Sequence, residues 1–134
     1  MPSRVDNFTV RLDYPDPVLN PNDKSHWFAK SESAQFAKAA SYLLTKDAIC
    51  KQGQPEPHFY LVLEFCPPDR RKRDLDNAEA SMKSAIDGMF RALWHDDSEI
   101  VSTFKKWGAK VKGGCVNVTL VRSVDEAVRV MGKE

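Results

Sequence analysis

The sequence predicts an α+β domain, a mixed β-sheet with helices packed against it. Three observations carry this. Stretches with a period of two and stretches with helical spacing follow one another as strand, helix, strand, helix, strand, strand. The segment His58 to Cys66 has Phe59, Leu61, Leu63 and Phe65 on one face and Tyr60, Val62 and Cys66 on the other, so it reads as a central strand buried on both sides. At 134 residues and 42% hydrophobic, the chain suits a single domain, residues 1–134, with a core that needs no disulfide or metal staple.

The first strand is set by Phe8, Val10, Leu12 and Tyr14 alternating with Thr9, Arg11 and Asp13. A Pro- and Asn-rich loop from Pro15 to Lys30, ending in His26-Trp27-Phe28, leads into a helix marked by Phe36, Ala40, Leu43 and Leu44 and capped by Ser31 or Ser33. Gly53, Pro55 and Pro57 break the chain before the central strand, and Pro67-Pro68 ends that strand. Leu75, Met82, Ile86, Met89, Phe90 and Leu93 mark a second helix, with Asp76 and Glu79 at capping-box spacing. Asp96-Asp97-Ser98 forms the turn out of it, and strands Ile100 to Lys106 and Val116 to Arg122 are expected to form a hairpin across Gly113-Gly114. Ser123 and Glu126 cap a short terminal helix. There is no internal repeat, low-complexity tract or domain boundary.

The formal charge of +1 favours no partner, but the distribution is uneven. Arg70-Arg71-Lys72-Arg73 is an unbroken basic run, and Lys105, Lys106, Lys110 and Lys112 form a second concentration. Each run also reads as solvated loop charge. Cys50, Cys66 and Cys115 lack zinc or disulfide spacing and read as small core residues in a reducing compartment. No run of about 18 apolar residues and no apolar leader is present, which points to a cytoplasmic protein without a membrane segment.

Chemistry concentrates around two acidic pairs. Asp74 and Asp76 stand where the basic loop becomes a helix, and Asp96-Asp97 follows the same helix. Hard divalent cations take carboxylate oxygens and keep several waters, so two or three aspartates from separate segments suffice to hold one. A helix of about 17 residues is roughly 25 Å long, so its two ends share a metal only if the chain folds back or the helix is shorter. The same residues also read as helix cap, loop and turn formers. His26, His58 and His95 lack triad or zinc spacing and read as structural or surface groups, while Trp27, Trp94 and Trp107 suit core packing or, alternatively, stacking on bases.

Arg70-Arg71-Lys72-Arg73-Asp74-Leu75-Asp76-Asn77, then Lys83-Ser84-Ala85-Ile86-Asp87-Gly88-Met89, then Asp96-Asp97-Ser98-Glu99-Ile100-Val101 resemble the signature of the RusA family of Holliday-junction resolvases. Pro21-Asn22 and His26-Trp27 extend the similarity toward the N-terminus. The resemblance implies a RusA-like homodimer of bacterial or phage origin that nicks branched DNA, a four-way junction, symmetrically with Mg²⁺, Mn²⁺ being able to substitute. By matching position, Asp74, Asp76 and Asp97 are expected to be the catalytic, metal-binding carboxylates and Lys83 the catalytic lysine. Arg70, Arg71, Lys72, Arg73, Lys105 and Lys106 are expected to meet DNA phosphates. The family lysine follows the second aspartate by one helical turn, where this chain has Ala80; Lys83 keeps the spacing Lys-x-x-x-Asp with Asp87. Two further readings stand beside this one: a branched-DNA-binding protein of the same fold without cleavage, and a metal nuclease acting on flaps or forks.

Overall fold

The computed structural model describes residues 4–57 and 59–132. His58, read above as the first residue of the central strand, lies outside them. Strand β1 (Arg4–Val5) pairs in parallel with β3 (Gln54–Pro55), apart from the main sheet. The main sheet contains β2 (Phe8–Asp13), β4 (Phe59–Cys66), β5 (Ile100–Trp107) and β6 (Cys115–Val121) in the order β2-β6-β4-β5. It is mixed: β4 runs parallel to β5 and antiparallel to β6, and β6 antiparallel to β2.

Helices α1 (Trp27–Gln52), α2 (Leu75–Ala80) and α3 (Lys83–Leu93) accompany one face, and α4 (Val124–Met131) covers the other. Parity along β4 decides which residue meets which layer. Phe59, Leu61, Leu63 and Phe65 enter the main core with Phe8, Val10, Leu12, Val116, Val118 and Leu120 from the sheet and Ile49, Met82, Met89, Phe90 and Leu93 from the helices. Val62 turns to the opposite face and packs with Val121 and Ala127. The central-strand reading therefore holds, because β4 is covered on both sides.

The expected hairpin between Ile100–Lys106 and Val116–Arg122 is corrected: β4 lies between the two strands. The link after β5 is hydrogen-bonded to the chain leaving β4, with Gly108 N–H donating to Phe65 O (2.8 Å) and Val111 N–H to Pro67 O (3.0 Å). It thus crosses the end of β4 and returns on its far side. Gly113 and Gly114 make the return with φ of +78° and +73°, a backbone region that suits glycine.

The single helix expected from Leu75 to Leu93 is also two helices, α2 and α3. Ser81 Oγ donates back to Asn77 O (2.8 Å), and Met82 N–H bonds Glu79 O three residues back, tightening the turn as the Met82 side chain enters the core. The cap of α2 is Asp74 rather than Asp76, and the capping box stands at Asp96 and Glu99 instead.

Helix α1 begins at Trp27, earlier than a Ser31 or Ser33 cap would place it. His26 Nδ1 accepts from Phe28 N–H (3.1 Å) and serves as the cap. Its buried residues are Ser41, Thr45, Ala48 and Ile49, whereas Phe36 and Leu43, which signalled the helix, face outward. Cys66 and Cys115 are buried as expected, but Cys50 on α1 is exposed. Close packing of α1 on α3 depends on Gly88, where a Cβ would fall on the Lys38 carbonyl oxygen. Ser41 Oγ donating to Ala85 O and the Lys38–Asp87 ion pair (2.9 Å) tie the same contact.

Candidate active site

Asp74 is positioned by its capping role. With extended backbone it turns its carboxylate onto the start of α2, where Oδ1 accepts from Asp76 N–H at 2.8 Å. Asp76 follows in the first turn, and Glu79 lies one turn further on. Both reach toward β5, where Lys105 Nζ lies 2.8 Å from Asp76 Oδ1 and 2.6 Å from Glu79 Oε1. Register explains that meeting. Lys105 is the partner of Leu63 across the β4–β5 ladder and shares its face, the one carrying α2, whereas Lys106 partners Glu64 and turns to the face carrying α4. The hydrogen bonds to Asp76 and then to Glu79 raise the Lys105 ammonium above the ordinary lysine range, so it stays charged at every physiological pH.

Asp97 lies in the segment after α3. Asp96 caps the short 3-10 turn Asp97–Glu99: its Oδ1 accepts from Ser98 N–H (2.9 Å), and Glu99 Oε2 accepts from Asp96 N–H (2.8 Å). The two aspartates share a side-chain hydrogen bond that raises the Asp97 carboxyl, helped by slight desolvation and by the charges of Asp96 and Asp87 and opposed by Lys83. The Ser98 amide and the side-chain hydrogen bond with Asp97 hold the Asp96 carboxyl below its usual range. Lys83, the first residue of α3, is exposed and forms no ion pair among the described residues. Glu79 is taken by Lys105 and Asp87 by Lys38, leaving the Lys83 charge to act toward Asp97.

The break between α2 and α3 and the return of β5 alongside α2 bring the chain back toward Asp76. They do not merge the pairs: among the described residues no three Asp, Glu, His or Cys groups gather at one point. The fit to a hard divalent cation is therefore divided. Asp76 and Glu79 converge on a single positive charge, Lys105, and so form a two-carboxylate cation position with Asp74 two residues away. Asp97 joins no such group among the described residues and feels the Lys83 charge.

The basic run is equally differentiated. Arg73 is turned inward: Nη1 donates to Asp69 O (3.2 Å) and Arg71 O (3.0 Å), Nη2 pairs with Asp69 Oδ1 (2.8 Å), and the guanidinium lies 5.7 Å from the Tyr14 ring centre. The Arg71 amide and the Arg73 guanidinium hold the Asp69 carboxyl below its usual range. Arg70 and Lys72 are exposed and have no carboxylate partner among the described residues. Lys106 is bound to Met131 O (2.9 Å) and Glu64 (3.6 Å) and braces α4.

Sequence reading missed Asp69, which organises the basic loop, and Glu79, which completes the Lys105 position. The available signal for Glu79 was a lysine on the inward face of a strand, which requires a buried or half-buried acid opposite it. Beside Asp74 opens a groove of about 730 Å³ between the apolar side of α1 (Phe36, Ala40, Leu44) and the loop carrying Arg71 and Lys72. His95 is held by Glu99 (3.1 Å) and packs edge-on against Phe59, a structural role. Trp94 ends α3 with φ of +64° and is 85% exposed three residues before Asp97.

A family model described as Endodeoxyribonuclease RusA matches residues 16–120, which includes both acidic pairs, the basic loop, Lys83 and Lys105. No curated protein matches the chain. Among the described residues no helix is long and apolar enough to cross a membrane.

Proposed function

The chain belongs to the RusA endodeoxyribonuclease family, and from that premise we propose that it is a Mg²⁺-dependent nuclease that resolves four-way DNA junctions by paired nicks as a homodimer. The observation that carries the reading is the convergence of Asp76 and Glu79 on one cation position at the start of α2, beside Asp74 and under a loop bearing Arg70 and Lys72. A divalent cation there would polarise a phosphoryl oxygen and lower the pKa of a bound water. Asp76 and Glu79, with Asp74 beside them, would hold it.

The remaining residues have distinct tasks. Arg70, Arg71 and Lys72 neutralise phosphates flanking the cut, drawing DNA across the acidic site despite its negative charge. Arg73 keeps the loop in the shape that presents them. Asp97 and Lys83 form the second part of the site, a carboxyl acted on by an ammonium that has no ion pair among the described residues, suited to ordering the attacking water and stabilising charge on the phosphate. Two nicks placed symmetrically call for two equivalent sites, which a twofold dimer supplies to a junction of matching pseudo-symmetry.

The test uses fixed four-way, flap and duplex DNA with and without Mg²⁺, comparing the wild type with Asp74→Asn, Asp76→Asn and Asp97→Asn. Each variant is expected to lose cleavage and to keep or gain junction affinity, because the substitution removes a metal ligand (Asp74, Asp76) or the water-ordering carboxyl (Asp97) together with a repulsive charge. Nicking that continues in Asp76→Asn, or cleavage confined to flaps, would overturn the proposal.

A further inference from the structure

Helix α1 is apolar on two opposite sides, and the described residues of the chain bury only one. Ser41, Thr45, Ala48 and Ile49 are buried, while on the outer side Phe36 is 72% and Leu43 67% exposed. Of the eleven large hydrophobic side chains exposed among the described residues, six lie on this helix, so the apolar surface of the protein is concentrated here.

The outer side has a specific order. Ala29, Ser33, Phe36, Ala40, Leu43 and Asp47 follow one another at alternating steps of four and three, the spacing that keeps one seam facing a second helix. Along that seam the large Phe36 and Leu43 alternate with the small Ser33 and Ala40. A helix of the same sequence running antiparallel fits it: Phe36 meets Ala40 of the second copy, and Leu43 meets Ser33 of the second copy. In that register the flanking Glu32 and Lys46 of each copy lie opposite Lys46 and Glu32 of the other, and Ala39 lies opposite itself near the twofold axis. Both charges are available for this. Glu32 is exposed with no ion pair among the described residues, and Lys46 rests over the Tyr42 and Trp94 rings without a carboxylate.

We infer that the outer seam of α1 is the surface by which two copies of this chain assemble, antiparallel and flanked by two Glu32–Lys46 pairs. The inference rests on the twofold assembly proposed above and names its surface and register. Size matching and charge matching arise from different residues and agree on one register. The seam also borders the groove that ends at Asp74, since Phe36 and Ala40 belong to both. Assembly on this surface therefore sets the distance between the two acidic sites and hence between the two nicks.

Sedimentation equilibrium on the full chain, without DNA or metal, tests this. The wild type is expected to have the mass of two chains at micromolar concentration, and Phe36→Glu the mass of one, with an unchanged helical circular dichroism signal because Phe36 is largely exposed on the single chain. Glu32→Lys is expected to weaken the dimer at least about tenfold, since each reversal turns two attractions into repulsions. Glu32→Lys combined with Lys46→Glu should restore it to within about threefold of wild type, while Val128→Glu on α4 leaves it unchanged. A dimer indifferent to Phe36→Glu, or a double variant that fails to recover, would overturn the α1 surface while leaving a dimer in place. A wild-type monomer would overturn the twofold assembly itself.

Discussion

Lys105 Nζ lies 2.8 Å from Asp76 Oδ1, joining the second aspartate of the acidic motif to a lysine 29 residues away on β5. The same ammonium is 2.6 Å from Glu79, so one cation holds two carboxylates together at the entrance to α2. Replacing it with a neutral side chain leaves two like charges facing each other, which favours a divalent cation between them. Lys105→Met is therefore expected to bind Mn²⁺ about tenfold or more tightly than wild type, measured by paramagnetic resonance of the free ion. Unchanged affinity would show that Asp76 and Glu79 are not a cation position. The raised Lys105 pKa means that its contribution to folding is fully present below the unfolded lysine value and is lost only as pH rises through the folded one. The stability difference between wild type and Lys105→Met should accordingly stay constant between pH 6 and 9.

Lys83 contributes its charge toward Asp97 and no ion pair to the fold among the described residues. Lys83→Ala should retain the wild-type unfolding midpoint and junction affinity and cleave at least about 100-fold more slowly at saturating DNA, as expected for a charge felt chiefly in the transition state. Wild-type cleavage by this variant would remove Lys83 from the site and leave Lys105 as the nearest alternative.

The basic loop divides into presenting and bracing residues. Neutralising Arg70 and Lys72 together should lower the slope of log affinity against log salt on duplex DNA by about 0.9 for each phosphate that is no longer neutralised, with no change in unfolding midpoint. Arg73→Gln should instead disorder the loop, because its guanidinium bonds the Asp69 and Arg71 carbonyls and the Asp69 carboxylate. Faster proteolysis between Asp69 and Asp74 is the expected sign. Equal slopes for all variants would make the run ordinary solvated charge.

Gly88 permits the closest approach of α1 and α3. Gly88→Ala places a methyl on the Lys38 carbonyl, a backbone atom that cannot rotate aside, so the helices must separate. A loss of about 1–3 kcal/mol in urea unfolding is expected despite alanine's better helix propensity. A gain in stability would mean that the packing is looser than the geometry indicates.

Much of this protein was legible in residue order because periodicity and motif are local. The alternation of Phe8, Val10 and Leu12, the two apolar faces of β4, the Ser123 cap and the aspartates after the basic run each express a chain repeat or a short spacing that holds wherever the segment lies. Tertiary structure decided the rest. Both faces of α1 are apolar, so only packing against α3 and the sheet could choose Ala48 and Ile49 for the interior and leave Phe36 outside. The strands flanking Gly113-Gly114 looked like neighbours, yet β4 separates them, because strand order depends on which edges are free and not on proximity in sequence. Lys105 and Lys106 are adjacent and alike in sequence, and a single step of register against β4 sends one to Asp76 and the other to α4. Strand parity and helix packing are relations between distant segments, so they acquire values only when those segments meet.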